Sequence, residues 1–167
     1  KQGDEVIVPD LTFAAVINSV INTNATPVIC EIEKESFCIC FKSLKKLITK
    51  KTKAIIAVHL YGYPLDLKEI SQYCKKKNIF IIEDCAEALG SKYYSKPVGT
   101  TFCDSSTFSF FANKTITTGE GGMVLFKNKK YFDKAMLLRD HGMSKNKKYY
   151  HTLVGYNYRL TSIQAAI

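Results

Sequence analysis

Two uninterrupted apolar runs constrain this chain more than any other feature. Ala54-Ile55-Ile56-Ala57-Val58 and Ile79-Phe80-Ile81-Ile82 contain no polar residue, so neither offers a face to water. Runs this short and this rich in branched residues read as strands covered on both sides. Between them, Leu65 to Lys75 carries apolar residues at helical spacing, with Asp66 near its start. Strand, helix, strand is the unit of a parallel sheet, because a parallel neighbour is reached only by a crossover.

The alternation extends in both directions. Val6-Ile7-Val8 reads as a strand ending at Pro9, and Thr12 as the N-cap of a helix from Phe13 to about Ile21. Pro27 to Ile32 reads as a strand and Phe41 to Ile48 as a helix with its lysines outward. Ser105 to Phe110 and Met123 to Phe126 are further strands, and a helix from Tyr131 to Arg139 follows. The expected fold is α/β: a three-layer, mostly parallel sheet with helices on both faces. No repeat, linker or low-complexity segment divides residues 1–167. The chain opens on Lys1 just before a strand and closes at Gln164-Ala165-Ala166-Ile167 in a helix with no stop signal, so we expect an internal piece of a longer protein.

Composition narrows the function classes. Apolar residues at 46% and charged residues at 23% are ordinary for a soluble domain. No apolar run reaches the roughly 18 residues of a membrane span, and no signal peptide is visible, so a cytoplasmic location is expected. The net charge of +9 is nearly all lysine, with Arg139 and Arg159 as the two arginines. Clusters such as Lys75-Lys76-Lys77 suit solvated helix ends; a nucleic-acid face wants arginines interleaved with aromatics. Neither nucleic acid nor membrane is expected as a partner, although a basic surface attracts anionic substrates. Six cysteines form no CxxC pair, and Cys38-Ile39-Cys40 has no companion ligands, so neither disulfide nor metal is expected.

Open parallel sheets bind ligands beyond the carboxyl ends of their strands. Asp84 stands at such an end, directly after Ile79-Phe80-Ile81-Ile82-Glu83, and Lys114 follows the Ser105–Phe110 strand. A lysine and an aspartate at adjacent strand ends suit pyridoxal phosphate (PLP). The amine forms a Schiff base with the cofactor aldehyde, and the carboxylate keeps the pyridine nitrogen protonated. A salt bridge, or two unrelated surface charges, satisfies the same spacing. Gly119, Gly121 and Gly122 after the lysine let backbone approach a ligand closely, or simply turn the chain into the next strand.

A wider set of motifs accompanies this pair. Glu83-Asp84-Cys85-Ala86-Glu87-Ala88-Leu89-Gly90, Phe108-Ser109-Phe110 with Lys114, Thr118-Gly119-Glu120-Gly121-Gly122, His141-Gly142 and Gly155-Tyr156-Asn157-Tyr158-Arg159 occur in this order. In that order they resemble the DegT/DnrJ/EryC1/StrS family of sugar-nucleotide aminotransferases, which have PLP fold type I. The opening Gly3-Asp4-Glu5-Val6-Ile7-Val8-Pro9 and Val58-His59-Leu60-Tyr61-Gly62 are also similar to this family, so the resemblance spans the chain. Arg139-Asp140-His141-Gly142-Met143 is similar to the branch containing GDP-perosamine synthase.

The resemblance implies roles residue by residue. Lys114 would carry the cofactor and shuttle the proton. Asp84 would pair with the ring nitrogen, Glu87 would lie near the ring hydroxyl, Ser109 would bind the phosphate, and Phe13 would stack on the ring. Asn157 would reach the phosphate of the neighbouring subunit's cofactor in a homodimer with shared sites, and Arg159 would lie close by. The substrates implied are a nucleotide-sugar ketone and an amino-acid donor, with glutamate expected, in cell-surface glycan synthesis. Residues 1–167 would be a partial large cofactor-binding domain, with little activity alone.

Other readings stand beside these. Phe13 suits helix core, Ser109 a strand hydroxyl bonded to backbone, and Glu87 a helix-start acid. His59 and His141 suit structural roles, and Tyr61-Gly62 a turn before Pro64. A PLP-dependent sugar dehydratase would replace the lysine with histidine, and a non-catalytic sugar-nucleotide binder would not need Lys114.

Overall fold

The computed structural model describes residues 1–167. Its elements in chain order are β1 (Glu5–Pro9), α1 (Ala14–Ile21), β2 (Thr26–Cys30), α2 (Phe41–Leu47), β3 (Thr52–Val58), a 3-10 turn (Leu60–Gly62), α3 (Lys68–Lys76) and β4 (Phe80–Asp84). There follow β5 (Lys92–Tyr93), β6 (Lys96–Pro97), β7 (Ser105–Ser109), β8 (Gly122–Phe126), α4 (Lys129–Arg139) and α5 (Ser162–Ala166). Six strands form one sheet in the order β2-β1-β3-β4-β7-β8. Every neighbouring pair is parallel except β7 and β8.

The uninterrupted apolar runs are explained by two cores. Successive strand residues point to opposite faces. Ile7, Ile55, Ala57 and Ile81 pack on one face with Leu44 of α2 and Ile70 and Cys74 of α3. Val8, Ile56 and Val58 pack on the other with Val16 and Val20 of α1. Helices therefore cover both faces, and no helix is long and apolar enough to cross a membrane. All six cysteines are free.

Several boundaries differ from expectation for local reasons. Phe13, not Thr12, is the capping residue of α1, and the buried Thr12 hydroxyl has no hydrogen-bond partner. The α3 helix starts at Lys68 rather than Leu65, because the Leu65 N–H is taken by His59 Nδ1 and Asp66 accepts from Lys68 N. The α4 helix starts early, at Lys129, where the Asn128 side chain accepts from Lys130 N at 2.9 Å. The β5–β6 hairpin was hidden because Tyr94 and Ser95, at φ 47° and 60°, make its turn without the usual Asn-Gly pair.

Register sets the site. Asp84 lies level with Val58 of β3 and Thr107 of β7, so these strands deliver their carboxyl ends to one edge.

Candidate active site

Glu83 and Asp84 end β4 and, as strand neighbours, must face opposite sides. Asp84 shares its face with Thr107, its partner in register, and hence with Ser109 two residues on. It is also the face covered by α1, which Phe13 begins. Asp84 Oδ1 accepts from Ala86 N at 3.0 Å. Burial pushes the Asp84 carboxyl above its ordinary range, opposed by the Ala86 N–H and by the charge of Lys114. A carboxylate raised by folding costs stability once it ionises, and the cost is relieved as pH falls. Asp84→Asn is therefore expected to raise the thermal midpoint of the cofactor-free protein at neutral pH, with the gain shrinking in acid.

Lys114 sits on the loop from β7 to β8. That loop folds back on itself: Phe110 N donates to Gly121 O, and Thr118 N and Thr117 Oγ1 donate to Phe110 O. Gly121 has φ +141°, a backbone conformation that favours glycine, and a Cβ there would lie 2.7 Å from Leu160 Cδ2. Lys114 Nζ lies 3.8 Å from Glu87 Oε1. The ion pair open at the sequence level thus forms with Glu87, while Asp84 feels Lys114 at longer range. The other Glu87 oxygen accepts from Tyr61 N at 2.8 Å and holds Tyr61 at φ 54°. Glu87 lies in a run of turns, so the helix-start alternative is corrected. Ser109 Oγ accepts from Phe111 N at 3.3 Å.

Phe13 is 80% exposed, which removes the helix-core alternative. Asn157 is held elsewhere, in an isolated bridge to Asp140, with Arg159 Nε donating to its Oδ1 at 3.4 Å and Arg159 Nη1 lying 3.1 Å from Asp140. Its segment still meets the lysine loop, since Gln164 Nε2 donates to Glu120 O at 3.0 Å.

Behind Asp84 lies a polar pair that sequence reasoning did not join, although it read His59 as structural. Glu83 and His59 are buried, with His59 Nε2 2.8 Å from Glu83 Oε2. The available signal was two consecutive acids at the end of an apolar strand, one of which had to turn inward. Burial drives the Glu83 carboxyl up, but the His59 side chain and the Gly99 N–H outweigh it, and the carboxyl lies below its ordinary range. The stability supplied by ionised Glu83 is therefore full above the ordinary carboxylate range and lost as pH falls through the depressed value. Glu83→Gln is expected to flatten the acid side of a plot of urea midpoint against pH.

The donor set fits PLP. A half-buried carboxylate without a cation in contact suits a ring N–H, an amine nearby suits an aldehyde, and a hydroxyl on the same face suits a phosphate.

Comparison with known proteins agrees with this chemistry. The model of the DegT/DnrJ/EryC1/StrS aminotransferase family matches residues 1–167. GDP-perosamine synthase of Escherichia coli O157:H7 is 51% identical over 167 residues, all of this chain and 46% of that protein. The Helicobacter pylori aminotransferase PseC, involved in the biosynthesis of pseudoaminic acid, superposes with a TM-score of 0.92 at 36% identity, over 99% of this chain and 44% of that one. The Streptococcus pneumoniae protein Spr1654 in its PLP form gives 0.89 at 33% identity, over 99% of this chain and 47% of that one. The chain spans about half the length of the curated relatives it matches.

Proposed function

Because the chain belongs to the DegT/DnrJ/EryC1/StrS aminotransferase family, we propose that the protein is a PLP-dependent aminotransferase acting on a keto-sugar nucleotide, with glutamate as amino donor. One observation carries the reading: Asp84, Ser109 and the Lys114 loop lie at a single edge of the sheet, with Asp84 partly desolvated on the face it shares with Ser109.

When bound, PLP supplies a protonated pyridine ring that draws electrons from the substrate carbon exchanging a proton. The protein's residues do the rest. Lys114 would hold the cofactor aldehyde and, once its amine is free, move a proton at the substrate carbon. Asp84 would keep the ring nitrogen protonated, which its half-buried setting favours by strengthening any contact with a cation. Ser109, whose oxygen accepts from Phe111 N, would donate its hydroxyl proton to the phosphate. Glu87, beside Lys114, would meet the ring hydroxyl, and the exposed Phe13 ring would cover the pyridine face. Asn157, placed apart from Lys114, suits a contact across a homodimer with shared sites. The net charge of +9 favours capture of an anionic nucleotide. The setting proposed for it is cell-surface glycan synthesis, in the cytoplasm.

The test is incubation of the full-length protein with PLP, glutamate and a panel of 4-keto and 3-keto sugar nucleotides. The expected result is an amino-sugar nucleotide formed in equal amount with 2-oxoglutarate. Failure to take up PLP, or PLP uptake without consumption of any keto-sugar, overturns the proposal.

A further inference from the structure

Asp84 is the last residue of its strand, and one backbone N–H is the only hydrogen bond to its carboxylate. Something else must hold the strand end. Cys85 N donates to Thr107 O at 2.9 Å on one side, and His59 N donates to Asp84 O at 3.1 Å on the other. His59 is itself fixed at both ring nitrogens. Leu65 N donates to Nδ1 at 3.0 Å, which leaves the proton on Nε2, 2.8 Å from Glu83 Oε2. The same Glu83 oxygen accepts from Gly99 N at 2.5 Å. One buried carboxylate oxygen, accepting from both His59 and Gly99, thus pins the loop leaving β3, the turn after β6 and the end of β4.

We infer that Glu83, acting through His59, is the positioning residue for Asp84, holding the aspartate where the cofactor ring nitrogen must meet it. The inference rests on the proposed PLP chemistry. The two acids divide the work by strand alternation, one facing the ligand and one the interior.

The geometry also argues against a different role for the cluster. His59, Glu83 and Cys85 offer ligand atoms within 4.8 Å of one another, as a metal site would. Both His59 nitrogens are already engaged, however, and burial keeps the Cys85 thiol protonated. Glu83 Oε1 has no protein partner. Beside this carboxylate is a cavity of about 10 Å³, also lined by His59, Leu65, Val98 and Gly99, with room for no more than about one water. The group is a hydrogen-bonded post.

The test uses the full-length protein and measures PLP affinity together with the induced circular dichroism per bound PLP, which reports how the ring is held. Glu83→Gln keeps an oxygen for both N–H donors and is expected to match wild type in both measures. Glu83→Ala is expected to weaken PLP binding on the order of tenfold and to change the dichroism. His59→Asn keeps an acceptor for Leu65 N while cutting the link to Glu83; it is expected to behave like Glu83→Ala and serves if that variant does not fold. Leu44→Ala, a cavity in the same core under α2, controls for lost stability and is expected to leave both measures unchanged. Wild-type affinity and dichroism in His59→Asn, or equal losses in Leu44→Ala, overturn the inference. Absence of PLP uptake by wild type overturns the functional proposal itself, and the inference with it.

Discussion

Lys114→Ala is expected to abolish covalent retention of PLP and to lower the transamination rate by on the order of a thousandfold or more, while the protein stays folded. On the proposed function two roles would leave with one amine: the anchor for the cofactor aldehyde and the group that moves the proton. Stability should hardly change. Lys114 Nζ has one ion pair, to Glu87 at 3.8 Å, and Glu87 keeps its bond to Tyr61 N without it. A partly exposed pair of this kind contributes about 1 kcal/mol or less. Lys114→Arg separates charge from chemistry, since guanidinium preserves the attraction to Glu87 but forms no lasting bond to the aldehyde. Both variants are checked by borohydride reduction, mass spectrometry and initial rates. PLP fixed elsewhere in Lys114→Ala would show that the amine has been misassigned.

How much of this was legible in the sequence depends on the range of the interaction involved. The sheet was legible because burial on two faces demands apolar residues at every position, and Ile55, Ile56, Ile81 and their neighbours supply them. The meeting of Asp84 with the Lys114 loop was legible because both follow strands whose ends share an edge. Glu87 was open, since nothing local says that its carboxylate divides between Lys114 and the Tyr61 backbone, 26 residues away. The Glu83–His59 pair was illegible for a similar reason. Two polar residues, one in β4 and one just past the end of β3, look like liabilities until the parallel register brings Ala57 beside Glu83 and so places His59 within reach. The β5–β6 hairpin was missed because its turn uses Tyr94 and Ser95 at positive φ, a choice tolerated where Tyr93 donates to Asp66 and packs against Phe102.

Gly99→Ala is expected to be strongly destabilising, costing about 3 kcal/mol or more against a typical total of roughly 5–15 kcal/mol. Two costs combine. Gly99 has φ +79°, where an alanine pays about 1–2 kcal/mol of backbone energy. Its Cβ would also stand 2.8 Å from Phe108 Cζ, 2.9 Å from Ser106 Oγ and 3.0 Å from Cys85 Sγ. All three neighbours are buried and cannot swing into solvent. Gly99 N and O are both committed, to Glu83 and to Ser106, so backbone retreat would break the post behind Asp84. Gly90 provides the comparison: its φ is +88°, yet a Cβ there meets nothing within 4 Å. Gly90→Ala should therefore show the backbone cost alone, and the difference between the two urea midpoints isolates the packing. Equal midpoints would mean that the segment carrying Gly99 yields easily, and a segment that yields cannot hold Glu83 in place.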